Sequence, residues 1–449
     1  MLLSHIPSYF KARRDKLMAD NPGGIFILPG AVDMYRNGDQ SYPLRQDSNL
    51  YYLTGYVETD AWLVLAPAAA SSPQGKGGYR TVLFVQHRDL DKEMWNGERY
   101  GTDRAMKIFG ADEAHVIDEL DKKLPELFAG AEKVFYRLGT TERGESNDRR
   151  VLAAMHAHRR SLGRTGKPVL PVFDPNGPLG EMRLFKTPEE VELIRTACRI
   201  TAAGHKHVME NIRPGMNEGD IQTMIEHEFR RGGASCPSFG TIAAGGKNAA
   251  CLHYMSNNEP LRDGELVLVD AGAEYAQYSG DITRTFPVGR KFSPAQARIY
   301  DVVLKAQKAG VAACKPGVTI TGVHKRVSEV MIEGLLSLGL LSGDVQEIFT
   351  NNTHKRFFPH NTSHWMGLDV HDAGLYLNND GSSRTLEPGM LFSVEPGFYV
   401  QPGDTEASAE YQGIGIRIED DVLITRDGCE NLTTLVPKER AEIEALRSK

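Results

Sequence analysis

Short apolar runs alternate with helical patterns along the first third of the chain. IFIL (25–28), WLVLAP (62–67) and TVLFVQ (81–86) are apolar and β-rich, and each reads as a strand. Between the last two, AAASSPQGKGG (68–78) has the small, polar make-up of a flexible hairpin loop. KVFYRLG (133–139) is a further strand, and SNDRRVLAAMHAHRRSL (146–162) predicts a helix with Val151, Leu152, Met155 and Leu162 on one side. Residues 1–175 therefore read as one α/β domain. FDPNGPLGEMR (173–183), rich in proline and glycine, reads as a linker into a second domain over 176–449.

The second domain carries clear helix starts. Thr187 is an N-cap, Pro188 occupies the first helical position and Glu190 completes a capping box. Ser293-Pro294 opens a later helix in the same way. A weak internal repeat follows. RPGMNEGDIQTMIEHEF (213–229) matches KPGVTITGVHKRVSEVM (315–331), with Ile221, Ile225 and Phe229 in register with Val323, Val327 and Met331. The downstream halves match too. DGELVLVD places Asp270 six residues after Gly264, and EPGMLFSVE places Glu395 six residues after Gly389. A second acidic strand follows each: GDITRTF with Asp281, and GIRIEDD with Glu419. Two helices and two acid-ending strands occurring twice suggest a duplicated half-domain with a pseudo-two-fold site between the halves.

Composition narrows the setting. The 449 residues are 41% hydrophobic and 25% charged, as in an ordinary soluble globular protein, with a net charge of −7. That charge gives no electrostatic argument for nucleic acid or an anionic membrane. The five cysteines are widely spaced and form no CxxC, as in a reducing compartment. MLLSHIPSYFKARRDKL has no apolar stretch of signal-peptide type, and no window approaches the length of a membrane span. A cytoplasmic protein is expected.

The acids carry the chemistry. A single buried carboxylate is costly unless paired or bound to metal. Four at matching places in two half-repeats repel one another and raise each other's pKa. A pair of divalent cations is the simplest way to keep them ionised. The stretch HNTSHWMGLDVHD (360–372) offers three histidines, His360, His364 and His371, of which one would complete the set. Oxygen-rich ligation with a single imidazole favours Mn²⁺, with Co²⁺ or Zn²⁺ also fitting, over a thiolate site. Asp369 and Asp372 in the same stretch read as turn residues rather than as partners that fix a histidine tautomer.

VLVDAGAEYAQYSGDITRTFPVG, HNTSHWMGLDVHD, SVEPGFYV and GIRIEDD together resemble the aminopeptidase P / prolidase family of pita-bread metallopeptidases. In the first domain, YPLRQDSNLYYLTGYVETDAWLVL (42–65) and HRDLDKEMWNGERYG (87–101) resemble Xaa-Pro aminopeptidases more than prolidases. The resemblance implies an α/β N-terminal domain followed by an α+β pita-bread catalytic domain with an internal pseudo-two-fold repeat. It implies five metal ligands: Asp270, Asp281, His364, Glu395 and Glu419. Asp281 and Glu419 would bridge two ions, Asp270 would serve one, and His364 and Glu395 the other. Glu395 would also move the proton. His253, His360 and His371 would line the substrate cleft as catalytic groups, and Tyr399 and His360 would flank the proline ring.

Arg417 would lie near metals and substrate and orient a bridging acid through bidentate hydrogen bonds. Tyr278 is expected in the core or in support of Asp281. Asp39 and Trp95 would line the active-site entrance of a homo-dimer or homo-tetramer, although Trp95 also reads as an ordinary packed aromatic. The sequence departs from the family at Pro359 and Asn361 within FFPHNTSH, at Phe239 and at DGSSR (380–384), changes that leave the five ligands in place. The implied activity is hydrolysis of peptides with proline second. A prolidase that cuts Xaa-Pro dipeptides shares the same ligands and is the alternative, with a metal-free binding module a distant third. Methionine aminopeptidases usually lack so large an N-terminal domain.

Overall fold

The computed structural model describes residues 7–68, 78–139, 144–166 and 168–448, and divides the chain into two compact units, Met1–Met182 and Arg183–Lys449. The first unit is built on a six-stranded mixed sheet. Its helices and strands run α1 (Pro7–Asp20), β1 (Gly24–Pro29), β2 (Tyr35–Asn37), β3 (Gln40–Ser41), α2 (Ser48–Thr54), β4 (Trp62–Pro67), β5 (Tyr79–Val85), α3 (Leu90–Asn96), α4 (Gly101–Phe109), β6 (Glu113–Val116), α5 (Leu120–Leu127), β7 (Lys133–Phe135), α6 (Gly144–Ser161) and β8 (Val172–Phe173). The sheet order is β6-β5-β4-β1-β7-β8. The antiparallel β4–β5 pair confirms a hairpin there, but its loop, residues 69–77, lies outside the described residues. Ile25, Ile27, Val64, Val82 and Phe84 pack with Leu124 and Val151 in one core.

Three local expectations change. The strand at 133 is only three residues long. On α6, Val151 and Ala154 are buried while Leu152 is exposed, so the buried face is rotated from the one the spacing suggested. The presumed linker is ordered: α7 (Asn176–Leu184) forms across the division. Asp174 accepts a hydrogen bond from the Asn176 N–H at 2.8 Å, and Pro178 sits in the first turn, where its missing N–H costs little.

The second unit repeats one plan. Helix α8 (Pro188–Asn211) starts on the Thr187 cap with its box from Glu190, and α9 (Glu218–Arg231) packs on it. The strands β9 (Cys236–Pro237), β10 (Ile242–Gly245), β11 (Leu266–Ala271), β12 (Ala273–Tyr275), β13 (Tyr278–Ser279) and β14 (Ile282–Pro287) follow. Then α10 (Pro294–Ala313), capped by Ser293 and Gln296, packs on α11 (Ile320–Ser337). After α12 (Val345–Thr350) come β15 (Leu391–Val394), β16 (Gly397–Tyr399), β17 (Gly415–Arg417), β18 (Asp420–Ile424), β19 (Cys429–Asn431) and α13 (Arg440–Arg447). The helix pair α8/α9 thus has its counterpart in α10/α11, and the antiparallel pair β11/β14 in β15/β18.

The repeat positions are the core positions. Ile221, Ile225, Phe229, Val327 and Met331 are fully buried in one cluster with Val267 and Val269, and Val323 is buried in a neighbouring cluster. Gly264 and Gly389, at the turn before each acid-bearing strand, adopt φ of +82° and +95°, a region that favours glycine. No helix among the described residues is long and apolar enough to cross a membrane.

Candidate active site

The strands set the acids facing one another. Asp270 lies in β11 directly opposite Thr283 of β14, and Asp281 immediately precedes β14. Glu395 follows β15, and Glu419 lies between β17 and β18. A main-chain hydrogen bond from Glu419 N–H to the Thr283 carbonyl, 3.0 Å, joins the two half-repeats at this point.

The histidine-rich stretch has no regular structure of its own but is pinned to β15. Trp365 bridges Phe392, Ser393 N–H donates to the His364 carbonyl at 3.0 Å, and Glu395 N–H donates to the Thr362 carbonyl at 2.9 Å. His364 is thereby held beside Glu395. Its Nε2 lies 3.4 Å from Asp281 Oδ2, 3.5 Å from Glu395 Oε1 and 3.9 Å from Glu419 Oε1.

Asp270, Asp281, His364, Glu395 and Glu419 all line one cavity of about 650 Å³, together with His253, His360, His371 and Arg417. Burial, then the charges of Asp270, Asp421 and Glu395, pushes the Asp281 carboxyl well above the usual carboxylate range. Glu419 is raised well above it too, by burial and then Asp281. Burial pushes Glu395 up to about 7 against the pull of His364 and Arg417, and pushes Asp421 up to about 7. Left to themselves these acids hold protons. Asp270 Oδ1 and Asp281 Oδ1 are buried with no hydrogen-bond donor among the described residues. One ligand atom each from Asp281, His364 and Glu419 falls within 4.8 Å of the others. Donors that each sit roughly 2.0–2.2 Å from a shared ion have separations of this order. The donor set fits hard to borderline divalent cations.

Arg417 corrects one expectation. Its Nη2 donates to Asp270 Oδ2 at 2.6 Å through a single nitrogen, rather than gripping a bridging acid in a bidentate pair. Its Nε reaches Thr283 Oγ1 at 3.2 Å, and the Thr283 hydroxyl donates to Glu419 Oε2 at 2.6 Å. Its Nη1 donates to Tyr399 Oη at 2.8 Å. Tyr399 is buried behind Arg417 and His360 and is absent from the cavity lining. Its hydroxyl lies 2.9 Å from His360 Nε2, while His360 Nδ1 lies 2.8 Å from the Asn361 carbonyl. A carbonyl only accepts, so Nδ1 carries the proton. Burial and Arg417 push His360 down to about 3, so its ring is neutral and Nε2 accepts from Tyr399. Both nitrogens are engaged, which leaves the ring face for the cavity.

His371 packs edge-on against His364, with ring centroids 4.3 Å apart, and burial lowers its pKa. His253 stands at the cavity wall in an exposed segment. Tyr278 is buried and donates to Glu190 at 2.9 Å. Asp369 and Asp372 are ion-pair partners rather than turn formers. Arg183 Nη2 bonds Asp369 at 2.7 Å and Asp372 at 2.5 Å, and Lys186 bonds the buried Asp372 at 3.1 Å. Asp39 and Trp95 belong to the first unit. Asp39 is exposed between β2 and β3, and Trp95 on α3 is 85% exposed, so it is not a packed aromatic.

Several supporting residues escaped the sequence reading: Thr283, Thr285, Ser393 and Asp421. Asp421 accepts from the Asp281 N–H at 2.9 Å, and Ser393 Oγ accepts from the His364 N–H at 3.1 Å. Each sits two residues from an acid or from another such residue, so the two-residue period of a strand was the available signal.

A cavity whose floor gathers four carboxylates and an imidazole from two half-repeats defines a divalent-metal site of the kind that activates water. The comparisons with known proteins agree. The model of metallopeptidase family M24 matches residues 192–426, and that of the aminopeptidase P N-terminal domain matches residues 10–136. The Xaa-Pro aminopeptidase of Escherichia coli is 43% identical over 97% of both chains, and that of Haemophilus influenzae 39% identical over 97% of this chain and 96% of its own. The structure of Pseudomonas aeruginosa aminopeptidase PepP superposes with a TM-score of 0.93 at 42% identity, covering 100% of this chain and 99% of that one. Zinc-substituted Escherichia coli aminopeptidase P in complex with product gives 0.91 at 42% identity over 98% of both chains. The chain belongs to metallopeptidase family M24 and carries the aminopeptidase P type of N-terminal domain.

Proposed function

We propose that this protein is an Xaa-Pro aminopeptidase that releases the N-terminal residue from peptides with proline second. The observation that carries the reading is the convergence of four acids and His364 in one cavity, with buried oxygens on Asp270 and Asp281 that meet no donor among the described residues. Asp270, Asp281, His364, Glu395 and Glu419 would hold two divalent cations, Mn²⁺ foremost, with Co²⁺ or Zn²⁺ compatible with the same donors. When bound, such cations supply Lewis-acid activation of water and of the scissile carbonyl.

The remaining work falls to the chain. The Xaa-Pro amide is tertiary, so its nitrogen must gain a proton as it leaves. Glu395 accepts the proton of the attacking water and passes it to that nitrogen. His253 or His371 donates a hydrogen bond to the developing oxyanion. His360, both nitrogens engaged, offers its ring face to the pyrrolidine and is braced by Tyr399 from behind. Arg417 holds Asp270 in place and supplies the positive charge that offsets the acids. Arg417→Ala is expected to lower kcat/KM roughly a hundredfold while metal content, read by elemental analysis, falls much less. Near-wild-type turnover would remove Arg417 from the mechanism.

The test of the function is a paired assay with added Mn²⁺, using an Xaa-Pro dipeptide and an Xaa-Pro-Xaa tripeptide with a chelated control. Tripeptide cleavage that the chelator stops is the expected result. Cleavage of the dipeptide alone identifies a prolidase, and no cleavage with no bound metal identifies a binding module. We place the two domains at 1–175 and 176–449. A cytoplasmic setting suits the five free cysteines, and the net charge of −7 gives no reason to expect nucleic-acid or membrane partners. A homo-dimer or homo-tetramer would give the exposed Trp95 and Asp39 a role at the active-site entrance.

A further inference from the structure

His324 is a cavity residue that the hydrolytic step does not use. It lies on α11, whose first turn also contributes Ile320 and Thr321 to the cavity wall. Its Nδ1 is 2.8 Å from Thr362 Oγ1, and its ring and that of His360 both pack on Phe358, at centroid distances of 5.9 and 4.9 Å. The position is therefore fixed from two sides, by a hydrogen bond and by an aromatic neighbour. Burial pushes its pKa down to about 4, with His354 and Lys355 adding to the effect, so the ring is neutral near pH 7. Among the described residues no protein group bonds its Nε2, and that atom is not buried away from the cavity. A neutral imidazole with Nδ1 engaged keeps one hydrogen bond to make at Nε2, as donor or acceptor according to tautomer. A peptide group satisfies either.

The direction of the substrate follows from the proposed reading, on which this inference rests. The scissile bond lies at the acids and the proline ring beside His360, so the chain beyond proline continues past His360 towards His324. A cavity of about 650 Å³ is in the range that encloses ligands of several residues' bulk. We propose that His324 is a specificity-determining residue whose Nε2 hydrogen-bonds the main chain downstream of proline, so that longer peptides are preferred over substrates ending at proline.

The geometry of two conservative replacements tests this. Asparagine places a polar atom where Nδ1 sits and can still bond Thr362, but has nothing at the Nε2 position. Glutamine places its amide near Nε2 and gives up the Thr362 contact. The measured quantity is the ratio of kcat/KM for an Xaa-Pro-Xaa-Xaa tetrapeptide to that for an Xaa-Pro amide, with Mn²⁺ present. His324→Asn is expected to lower the ratio about tenfold, the value of one hydrogen bond, and His324→Gln to keep most of it. A purely structural role through Thr362 predicts the reverse order, and that order, or an unchanged ratio in both variants, overturns the proposal. If His324→Gln fails to fold, as read by thermal melting, the ratio in His324→Asn decides alone; if His324→Asn fails, His324→Ala replaces it, and a ratio lost in His324→Ala but kept in His324→Gln is the expected result, whereas both lost or both kept overturns the proposal. A wild-type protein that cleaves neither substrate defeats the aminopeptidase reading itself, an outcome distinct from an unchanged ratio.

Discussion

Asp281→Ala and His364→Ala are each expected to reduce peptide turnover to background and to lower bound metal with it, while the fold survives. Both side chains sit at the centre of the cluster, with His364 Nε2 3.4 Å from Asp281 Oδ2. Removing either opens the shell of any cation shared among Asp281, His364 and Glu419. The fold survives because neither side chain supports it. Asp281 is held in place through its backbone N–H, which the substitution leaves on Asp421. Its carboxyl, raised well above the usual carboxylate range by burial and like charges, carries no penalty only below its unfolded pKa, and as pH rises from there towards its elevated pKa it increasingly costs the metal-free fold stability. Near neutrality the metal-free protein therefore loses little when it is removed. Turnover with saturating Mn²⁺, elemental analysis and thermal melting together check the result. Substantial activity in either variant would refute the metal assignment.

The second large effect is on stability and lies one residue from the site. Asp420 is fully buried and accepts from Arg284 at 2.7 Å, Gln307 at 2.8 Å, Asn431 at 2.8 Å and Thr433 at 2.9 Å, and also pairs with Lys438. Burial alone would raise its pKa, but Arg284 and Lys438 hold it well below the usual carboxylate range. Its contribution is thus present throughout the neutral range and is lost only as pH falls into strong acid. Asp420→Ala strips the buried Arg284 of its carboxylate partner, and breaking such a pair costs about 3–5 kcal/mol. The melting temperature should drop on the order of 10 °C. A loss below about 1 kcal/mol would show that the carbonyls around Arg284 suffice to hold it.

What the sequence made legible follows a physical rule. Helix starts such as Thr187 and Ser293 were readable because a capping box is local chemistry. The repeat exposed Ile221, Ile225 and Phe229 with their partners because burial imposes a period on the chain. Asp270 and Glu395 stood out because an acid at the end of an apolar strand needs a reason. Residues defined by their partners were hidden. Asp369 and Asp372 looked like turn formers because Arg183, nearly two hundred positions earlier, gives no local sign of pairing with them. Helix α7 was missed because proline and glycine mark linkers and first helical turns alike. Tyr399 was expected beside the substrate, and its burial behind His360 depends on packing that no spacing encodes. Thr283 and Thr285 were within reach, since they alternate with Asp281 along one strand face.

The main-chain bond between Glu419 and Thr283 sets a condition on the order of events during synthesis. Asp270 and Asp281 leave the ribosome long before Glu419, and until the final strands pair, the first two acids face no partners from the second half. Closure of so long a loop is among the slow steps of folding. A cation held by all five residues is therefore acquired by a finished domain and not by a growing one, and its binding energy adds to the stability of the completed state alone. Metal capture by that set would report that the last eighth of the chain has arrived and docked.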